Sequence, residues 1–269
     1  WIKSRSNATS HEWHDSVRGE PSRISSDLTS AESTSLNGFV SLASDGFTVD
    51  GTGGGGEVNT SGRTYAAWLW KALDHDRNLP AINNNGQIPA AVSANPAAGF
   101  SILQWVSDGS SSISTKGHGL NAAPEMFIVY SRTHGSIWQV YHKDLPLNQY
   151  IYLNGSAALS NAGATYYSSS ANTIGFRDGS NSGSGQNMIA YCWHSVDGYS
   201  KVGSYTGQTY GVTITTGFQP SFIMIKSSSN VENWAILDTE RGTGKCLNPN
   251  LSNAESDSTL NTFTVSSTG

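Results

Sequence analysis

An internal repeat constrains the fold of this chain more than any other feature of its sequence. With residue 1 placed against residue 224, the segment 1–19 matches 224–242 without a gap, and eight of the nineteen positions are identical. These positions are Ile2, Lys3, Ser4, Ser6, Asn7, Asp15, Arg18 and Gly19. Because self-similarity at a fixed spacing is the signature of repeat architectures, we expect one structural unit to recur along the chain.

A third copy of this segment begins at residue 128, between the other two. It carries Ser131 and Arg132 where the first copy has the same two residue types, and its Trp138 precedes Trp234 of the last copy by 96 residues. Other parts of the unit also recur: 61–72 matches 184–195, 99–109 resembles 198–208, and 118–129 resembles 216–225. The repeat therefore extends over most of the chain.

These matches divide the chain into four parts. Residues 98–197 correspond to one complete repeat of about 100 residues, 1–71 to the C-terminal part of a first repeat, and 198–269 to the N-terminal part of a third. The segment 72–97 contains three prolines and few large apolar side chains, which predicts a linker. Because the first and last repeats are incomplete, we expect the chain to be a piece of a longer repetitive protein.

Within each repeat, short apolar runs are separated by Gly, Pro, Ser and Asn, a pattern typical of strands and turns. Residues alternate in Ile137–His142, so Trp138 and Val140 should face one side of a sheet while Gln139 and Tyr141 face the other. No helical periodicity persists for more than two turns. Since both faces of such strands need cover, the sequence predicts an all-β chain of tandem β-sandwich, jelly-roll-like repeats.

The charge content argues against two classes of partner. Only 13% of the residues are charged and the net charge is −5, and without a cluster of Lys and Arg no nucleic-acid partner is expected. No apolar run reaches the roughly 20 residues of a membrane-spanning helix, so no membrane span is expected.

Cys192 lies in an apolar run and is predicted as a core residue, while a disulfide between Cys192 and Cys246 stays open.

No motif of a catalytic or cofactor-binding site stands out in the sequence. His11 and His14 are three residues apart, which places them on opposite faces of a strand and predicts surface or edge histidines instead of a metal site. The run Asp74–Asp76 contains two carboxylates and a histidine, but no further ligand group lies near it in sequence. The glycine-rich run 51–57 predicts a flexible loop. No metal and no cofactor is expected.

The acidic residues suggest structural roles. Asp15 and Asp238 occupy the same repeat position and are predicted to contact Arg18 and Arg241, respectively. The complete repeat keeps few acids at positions shared with the other copies. A catalytic repeat should keep its acids, so no catalytic residue is predicted.

Aromatic residues are further candidates for a binding site, because Tyr and Trp rings stack on the apolar faces of sugars. Tyr166, Tyr167 and Tyr210 lie in loop-like polar surroundings and are predicted as exposed ligand-binding residues. The tryptophans of the apolar runs, such as Trp138, Trp193 and Trp234, are predicted to fill the core.

Several short segments resemble the repeats of tail-fibre and other virion-surface proteins of marine bacteriophages. The segments are Ile2–Asn7, Trp138, Leu153–Asn154, Ser184–Gly185, Ala190–Trp193 and Ser204–Gly207. The resemblance covers most of the chain outside 72–97. It implies β-sandwich modules, homotrimeric or otherwise multivalent display, and adsorption to a bacterial surface. It implies no catalytic residues.

We therefore expect a non-enzymatic homo-oligomer of a virion surface or the extracellular space that attaches to bacterial cell-surface glycans, with repetition raising avidity. An alternative is a purely structural fibre or capsid-decoration spacer. A further alternative is a polysaccharide-degrading tailspike, which would require two carboxyl groups about 5–10 Å apart in a cleft.

Overall fold

The computed structural model describes residues 1–34, 38–51, 57–72, 80–180, 183–242, 244–257 and 263–267. These residues form β-strands, loops and a short 3-10 turn, Asp178–Ser180, so the prediction of an all-β chain is confirmed. In this described part of the chain, no helix is long and apolar enough to cross a membrane.

An antiparallel sheet of eight strands forms the centre of the fold. From one edge to the other, its strands are β14 (Ser160–Asn161), β13 (Gln149–Tyr152), β12 (Gln139–His142), β11 (Met126–Ser131), β17 (Asn187–Trp193), β9 (Phe100–Val106), β8 (Ala90–Asn95) and β7 (Ala81–Asn83). The sheet therefore draws mainly on the complete repeat, with two strands from the segment that precedes it.

Smaller sheets surround this large sheet. Three strands, β10 (Ser114–Gly117), β16 (Thr173–Phe176) and β15 (Tyr167–Ser169), form one of them. The others are strand pairs: β1 (Ile2–Ser4) with β6 (Tyr65–Ala67), β2 (Ser22–Arg23) with β3 (Ser33–Thr34), β4 (Phe39–Leu42) with β5 (Phe47–Val49), β18 (Phe222–Ile225) with β19 (Ala235–Asp238), and β20 (Lys245–Cys246) with β21 (Ser256–Asp257).

The segment 72–97, which the sequence predicts as a linker, contributes two strands, β7 and β8, to the large sheet. β8 pairs with β9 over five residues, and Ala90 and Val92 of β8 are buried in the core beneath the three-stranded sheet. The small side chains that suggested a linker suit this place, because Gly119 approaches Val92 and Ala94 so closely that a side chain there would touch both. Low side-chain volume here reflects close packing and not a lack of structure.

The two faces of the large sheet cover two different cores, as the alternation in Ile137–His142 predicts. Trp138 and Val140 lie in one core, while Tyr141 lies in the other. In the second of these cores, the large sheet packs against the three-stranded sheet through Phe127 and Phe176. This face is the β-sandwich that the sequence predicts.

The other face of the large sheet is covered by the first and third of the three copies of the repeated segment, while the second copy supplies strands of the sheet itself. We name the three copies the first copy (1–34), the second copy (128–161) and the third copy (224–257). The core on this face, here called the central core, includes Trp13 and Ile24 of the first copy, Trp138 of the second, and Trp234 and Ile236 of the third. The copies therefore do not lie one after another as separate modules, because each buries its inner face against the other two.

Hydrogen bonds between equivalent positions link the three copies in a closed order. A ring nitrogen at one repeat position meets a backbone carbonyl of the preceding copy: Trp138 Nε1 to Ser25 O at 3.0 Å, Trp234 Nε1 to Tyr152 O at 2.8 Å, and His11 Nε2 to Asn248 O at 3.0 Å. Residues 11, 138 and 234 are equivalent in the repeat, as are 25, 152 and 248. The third copy thus precedes the first, and the three copies form a ring.

A second set of bonds follows the same order. Backbone amides donate to carbonyls of the next copy: Glu32 N to Arg132 O, Leu159 N to Ser228 O, and Glu255 N to Arg5 O, at 2.8 to 3.0 Å. At two of these three junctions an arginine also pairs with a glutamate through two hydrogen bonds, Arg132 with Glu32 and Arg5 with Glu255. Ser228 and Leu159 occupy the same places at the remaining junction and cannot form the ion pair.

We expect Glu255→Gln to lower the free energy of unfolding by about 1–3 kcal/mol, because the carboxylate accepts charged hydrogen bonds from both Arg5 and Arg241. Denaturant unfolding measures the change. The matched control is Asp257→Asn, which removes an ion pair with Lys245 at a side chain that is 80% exposed and should cost less than about 0.5 kcal/mol. Equal effects of the two substitutions would contradict a structural role for the junction.

His11 makes the ring sensitive to acid. Its Nδ1 accepts from Trp1 Nε1 at 2.8 Å while Nε2 donates to Asn248 O, so the folded state needs the neutral ring. Burial, with a smaller contribution from nearby Lys3, lowers the pKa of His11 to about 3. The unfolded chain takes up this proton near pH 6.5 and the folded chain does not. Stability is therefore lost as the pH falls from about 6.5 towards 3.

We expect His11→Gln, whose amide can both donate and accept at this place, to remove that part of the acid sensitivity. Between pH 7 and pH 4 the unfolding free energy of the variant should rise relative to the parent by on the order of 3 kcal/mol. Urea unfolding at a series of pH values measures both proteins. Parallel profiles would show that His11 does not govern this range.

Candidate functional site

A small cavity lined by aromatic rings is the most distinctive concave feature of the described residues. Its volume is about 130 Å³. Its lining includes the aromatic rings of Trp13, Trp68, Trp70, Phe100, Tyr191 and Trp193 and the polar residues His14, Asp15 and Ser16. We call this site the aromatic cavity.

Two equivalent parts of the repeat form two of its walls. Trp68 and Trp70 directly follow β6, and Tyr191 and Trp193 occupy the equivalent positions at the end of β17. The rings of Trp70 and Trp193 meet edge to face with their centroids 6.2 Å apart. Phe100, at the start of the neighbouring strand β9, lies 5.2 Å from Trp193. The aromatic pattern of the repeat thus brings two copies of one motif together.

The rings differ in their exposure to solvent. Trp13 and Tyr191 are buried, whereas Trp70 and Trp193 are half-buried. Leu69, which lies between Trp68 and Trp70 in the sequence, is 62% exposed. Half-buried tryptophans at the rim of a cavity present flat apolar surface to water. Such rings can stack on a ligand without leaving their packed positions.

Asp15 supplies a fixed negative charge at the cavity wall. Its Oδ2 accepts from Arg18 Nε at 2.5 Å and from the Tyr191 hydroxyl at 2.7 Å, and its Oδ1 accepts from two backbone amides. Burial favours the neutral acid, but the Arg18 guanidinium and these bonds hold the pKa of Asp15 below its ordinary value. The carboxylate is therefore ionised and already satisfied, and it is the one acidic group among the described residues that line the cavity.

Trp13 has an indole N–H without an acceptor. Its ring is 4% exposed, and among the described residues Nε1 has no hydrogen-bond partner. Other buried or half-buried tryptophans donate this hydrogen: Trp1 to His11, Trp68 to Asp238, Trp105 to Asp178, Trp138 to Ser25, and Trp234 to Tyr152. Buried donors are normally paired, so the Trp13 N–H, which is shielded from solvent, is an exception among the described tryptophans in the core.

Together these groups define the chemistry that the aromatic cavity can perform. It offers flat apolar rings beside a carboxylate, Asp15, whose oxygens are already bonded to Arg18 and Tyr191. It does not offer the two carboxyl groups that glycoside hydrolysis ordinarily uses, because Asp15 has no second acid beside it in the lining.

The tyrosines predicted from the sequence lie elsewhere. Tyr166 and Tyr167 are 3% and 0% exposed and belong to the core beneath the three-stranded sheet, so the prediction that both are exposed is wrong. The Tyr166 hydroxyl bonds the side-chain amide of Gln139 at 2.9 Å, and Tyr167 begins β15. The Ser- and Asn-rich sequence around them forms an edge strand and turns, and the rings point inward. Tyr210 is fully exposed, as predicted.

The two histidines predicted at the surface or at an edge are also placed differently. His11 is 0% exposed and belongs to the ring of copies described above. His14 lines the aromatic cavity and stacks on Phe39 with centroids 4.1 Å apart. No group of three or more His, Cys, Asp and Glu is arranged to hold a metal ion in the described part of the chain. The run Asp74–Asp76 and most of the glycine-rich run 51–57 lie outside the described residues.

Other expectations from the sequence hold in the structure. Cys192 is a buried core residue, and Cys192 and Cys246 are both free thiols. Asp238 accepts from Arg241 Nε at 2.6 Å, and Asp15 from Arg18 as given above, so the predicted aspartate–arginine contacts are confirmed. The motif that forms the cavity is visible in the sequence, since 61–72 matches 184–195, but of its two tryptophans Trp193 is predicted from the sequence as a core residue and Trp70 is assigned no role.

A second concave surface lies at the edge of the large sheet. This groove is wider, with a volume of about 510 Å³, and is lined by Asn83, Asn84, Asn85 and small apolar side chains. Among the described residues that line it, none is aromatic, so they offer amide groups but no stacking surface.

The whole chain matches one protein family. The family model, described as a domain of unknown function (DUF7483), matches residues 1–269. The chain therefore belongs to the DUF7483 family. No curated protein and no solved structure matches it.

We expect Trp138→Phe to destabilise the fold more than Trp13→Phe, although both remove the same atoms. The Trp138 indole donates to Ser25 O and Leu28 O, whereas the Trp13 indole donates to no described residue. The difference in unfolding free energy should be about 1–3 kcal/mol. Thermal or denaturant unfolding of the pair measures it. A cost for Trp13→Phe equal to that for Trp138→Phe would show that the Trp13 N–H is paired.

Proposed function

We propose that this chain is a non-enzymatic attachment module that binds an uncharged sugar ring of a bacterial cell-surface glycan in the aromatic cavity. The observation that carries the proposal is the pair of half-buried tryptophans, Trp70 and Trp193, which meet edge to face in a cavity lined by further aromatic rings. Sugars present an apolar face that stacks on aromatic rings and hydroxyl oxygens that accept hydrogen bonds.

The size of the aromatic cavity supports a single ring as the unit recognised. Pockets that enclose drug-sized ligands have volumes of roughly 300–1,000 Å³, well above the 130 Å³ of this cavity. A glycan would therefore insert one residue or one edge and leave the rest outside. Such a contact is weak by itself, and the proposal includes multivalent display, through tandem repetition or a homo-oligomer on a virion surface or in the extracellular space, to raise avidity.

The electrostatics support a neutral ligand. The chain carries a net charge of −5, and Asp15 adds an ionised carboxylate to the lining. An acidic sugar would be repelled by both. A cation would find the Asp15 oxygens already bonded to Arg18 and Tyr191.

The presence of Asp15 as the one acid among the described lining residues supports sugar binding instead of sugar hydrolysis. A glycosidase of the usual kind needs a second carboxyl group to act as acid or base with the first, and the described lining has Asp15 alone. A polysaccharide-degrading tailspike is therefore the less favoured proposal.

A structural spacer remains a second proposal, and one observation favours it. Most tryptophans of the repeat fill the central core instead of a surface, including Trp13, Trp138 and Trp234. A chain whose aromatic content serves mainly to join its own copies could act as a building block of a fibre or capsid decoration without a ligand.

A panel of neutral and acidic glycans, read both for binding and for release of shorter sugars, tests these proposals. We expect binding of neutral glycans without release. The variants Trp70→Leu and Trp193→Leu keep an apolar side chain but remove the flat stacking surface, so affinity should fall by about fivefold in each, since such aromatic contacts contribute on the order of 1 kcal/mol beyond the area they bury.

The matched control is Tyr210→Ala, which removes an aromatic ring that is fully exposed and outside the cavity. It should leave binding unchanged, and circular dichroism checks that all variants fold. Loss of binding in Tyr210→Ala but not in the tryptophan variants would place the site elsewhere. Release of shorter sugars would show that the chain is an enzyme. If the chain neither binds nor cleaves any glycan of the panel, the structural spacer is favoured.

A further inference from the structure

A lysine and an aspartate meet inside the sandwich that the large sheet forms with the three-stranded sheet. Lys116 lies on β10, and Asp178 begins the 3-10 turn two residues after the end of β16. Lys116 Nζ is 2.5 Å from Asp178 Oδ1, and both side chains are 0% exposed. By contrast, the ion pair of Lys245 with Asp257 lies at the surface. The contact between Lys116 and Asp178 is therefore shielded from water.

Aromatic rings and a backbone carbonyl surround the lysine. Its Nζ lies 4.6 Å from the centre of the Phe176 ring and 5.1 Å from the centre of the Trp105 ring. Nζ also donates to Ser114 O at 3.0 Å. Trp105 Nε1 donates to the other carboxylate oxygen, Asp178 Oδ2, at 3.2 Å. The two oxygens of this carboxylate thus have different partners, the amine at Oδ1 and the indole at Oδ2.

Burial favours the uncharged forms of both groups. It lowers the pKa of Lys116 and raises the pKa of Asp178, although the attraction between the two charges opposes both shifts. Transfer of one proton from Nζ to Oδ1, across 2.5 Å, gives a free amine next to a carboxylic acid. A desolvated lysine amine is a nucleophile. The structure therefore holds the two reactants of amide formation in contact, which removes the entropic cost of bringing them together.

We propose that Lys116 and Asp178 form an intramolecular amide bond between Nζ and Cγ, which ties β10 to the turn after β16. Nζ attacks Cγ, so an N–C bond forms and the bond from Cγ to Oδ1 breaks. Oδ1 leaves as water with two protons of the lysine ammonium, one transferred before the attack and one afterwards. Oδ2 remains as the amide oxygen, and the Trp105 N–H stabilises the negative charge that it carries during the attack.

The bond would close a loop around the second copy. Lys116 and Asp178 are 62 positions apart in the sequence, and 128–161 lies between them. A cross-link of this kind stays closed when the chain unfolds, so the unfolded state has less conformational entropy and the fold is stabilised, as by a disulfide. The inference is independent of any ligand in the aromatic cavity.

Mass spectrometry of the purified full chain tests the proposal. Attack of the amine on the acid removes one water, so the intact mass should fall by about 18 Da. Trypsin cleaves after free lysine, so an acylated Lys116 should resist cleavage, and the peptide 78–132 should appear joined to the peptide that contains Asp178. Lys245 and Asp257 are an internal control, because their exposed ion pair should leave them unlinked in the same digest.

A different reaction can also remove one water at this place. Asp178 precedes Gly179, and an aspartate before glycine can close to a succinimide with its own backbone. In that case trypsin would still cleave after Lys116, and no second peptide would be attached. This outcome overturns the proposal, and so does a parent chain of unchanged mass.

Variants assign the cross-link to its residues. Lys116→Arg keeps the positive charge next to Asp178 but lacks the amine, so its mass should match its sequence. On a denaturing gel it should migrate more slowly than the parent, whose loop stays closed, and reduction should change neither band because Cys192 and Cys246 are free thiols. The matched control Lys245→Arg should behave like the parent. A cross-link that persists in Lys116→Arg contradicts the assignment, and the digest of the parent decides the proposal even where this variant does not fold.

Discussion

The indole of Trp138 donates to the carbonyl of Ser25 in the first copy, and the equivalent bonds from Trp234 and His11 complete a ring of three copies. Each bond joins a side chain in the central core to a backbone group of the preceding copy. A copy taken alone would expose its inner aromatic face to water and would lose these hydrogen bonds, each of which contributes about 0.5–1.5 kcal/mol net. The three copies therefore stabilise one another.

Two side-chain networks reinforce the ring and show how it tolerates sequence change. In one, Tyr191 bonds Asp15, which bonds Arg18, and Arg18 reaches the Glu32 that pairs with Arg132. In the other, Trp68, Asp238, Arg241, Glu255 and Arg5 make the equivalent series. Tyrosine and tryptophan thus fill one repeat position as donors of one hydrogen to one carboxylate. The backbone hydrogen bonds occur at all three junctions, whereas the arginine–glutamate ion pair occurs at only two of them. The main-chain contacts therefore depend less on the residue types at the junction.

How far the sequence predicts this structure depends on the distance over which each signal acts. The alternation around Trp138 is local and predicted both faces of the sheet, and the shared positions of Asp15 and Asp238 predicted the contacts with their arginines. Tyr166 and Tyr167 could not be placed in the same way, because polar neighbours suit an edge strand as well as a loop and the facing sheet decides which way the rings point. Likewise, the repeat revealed three copies, but no pattern within one copy shows that the first meets the third.

The aromatic cavity follows from the same ring. Trp68 and Tyr191 bond the aspartates of two different copies, and the tryptophans two residues further along, Trp70 and Trp193, meet where these copies adjoin. The charged bonds of Asp15 and Asp238 fix the ends of the strands that carry the rim tryptophans. A ligand that stacks on Trp70 and Trp193 therefore meets side chains already held in place, and less conformational entropy is lost on binding. The network that closes the fold is also what organises the site in advance.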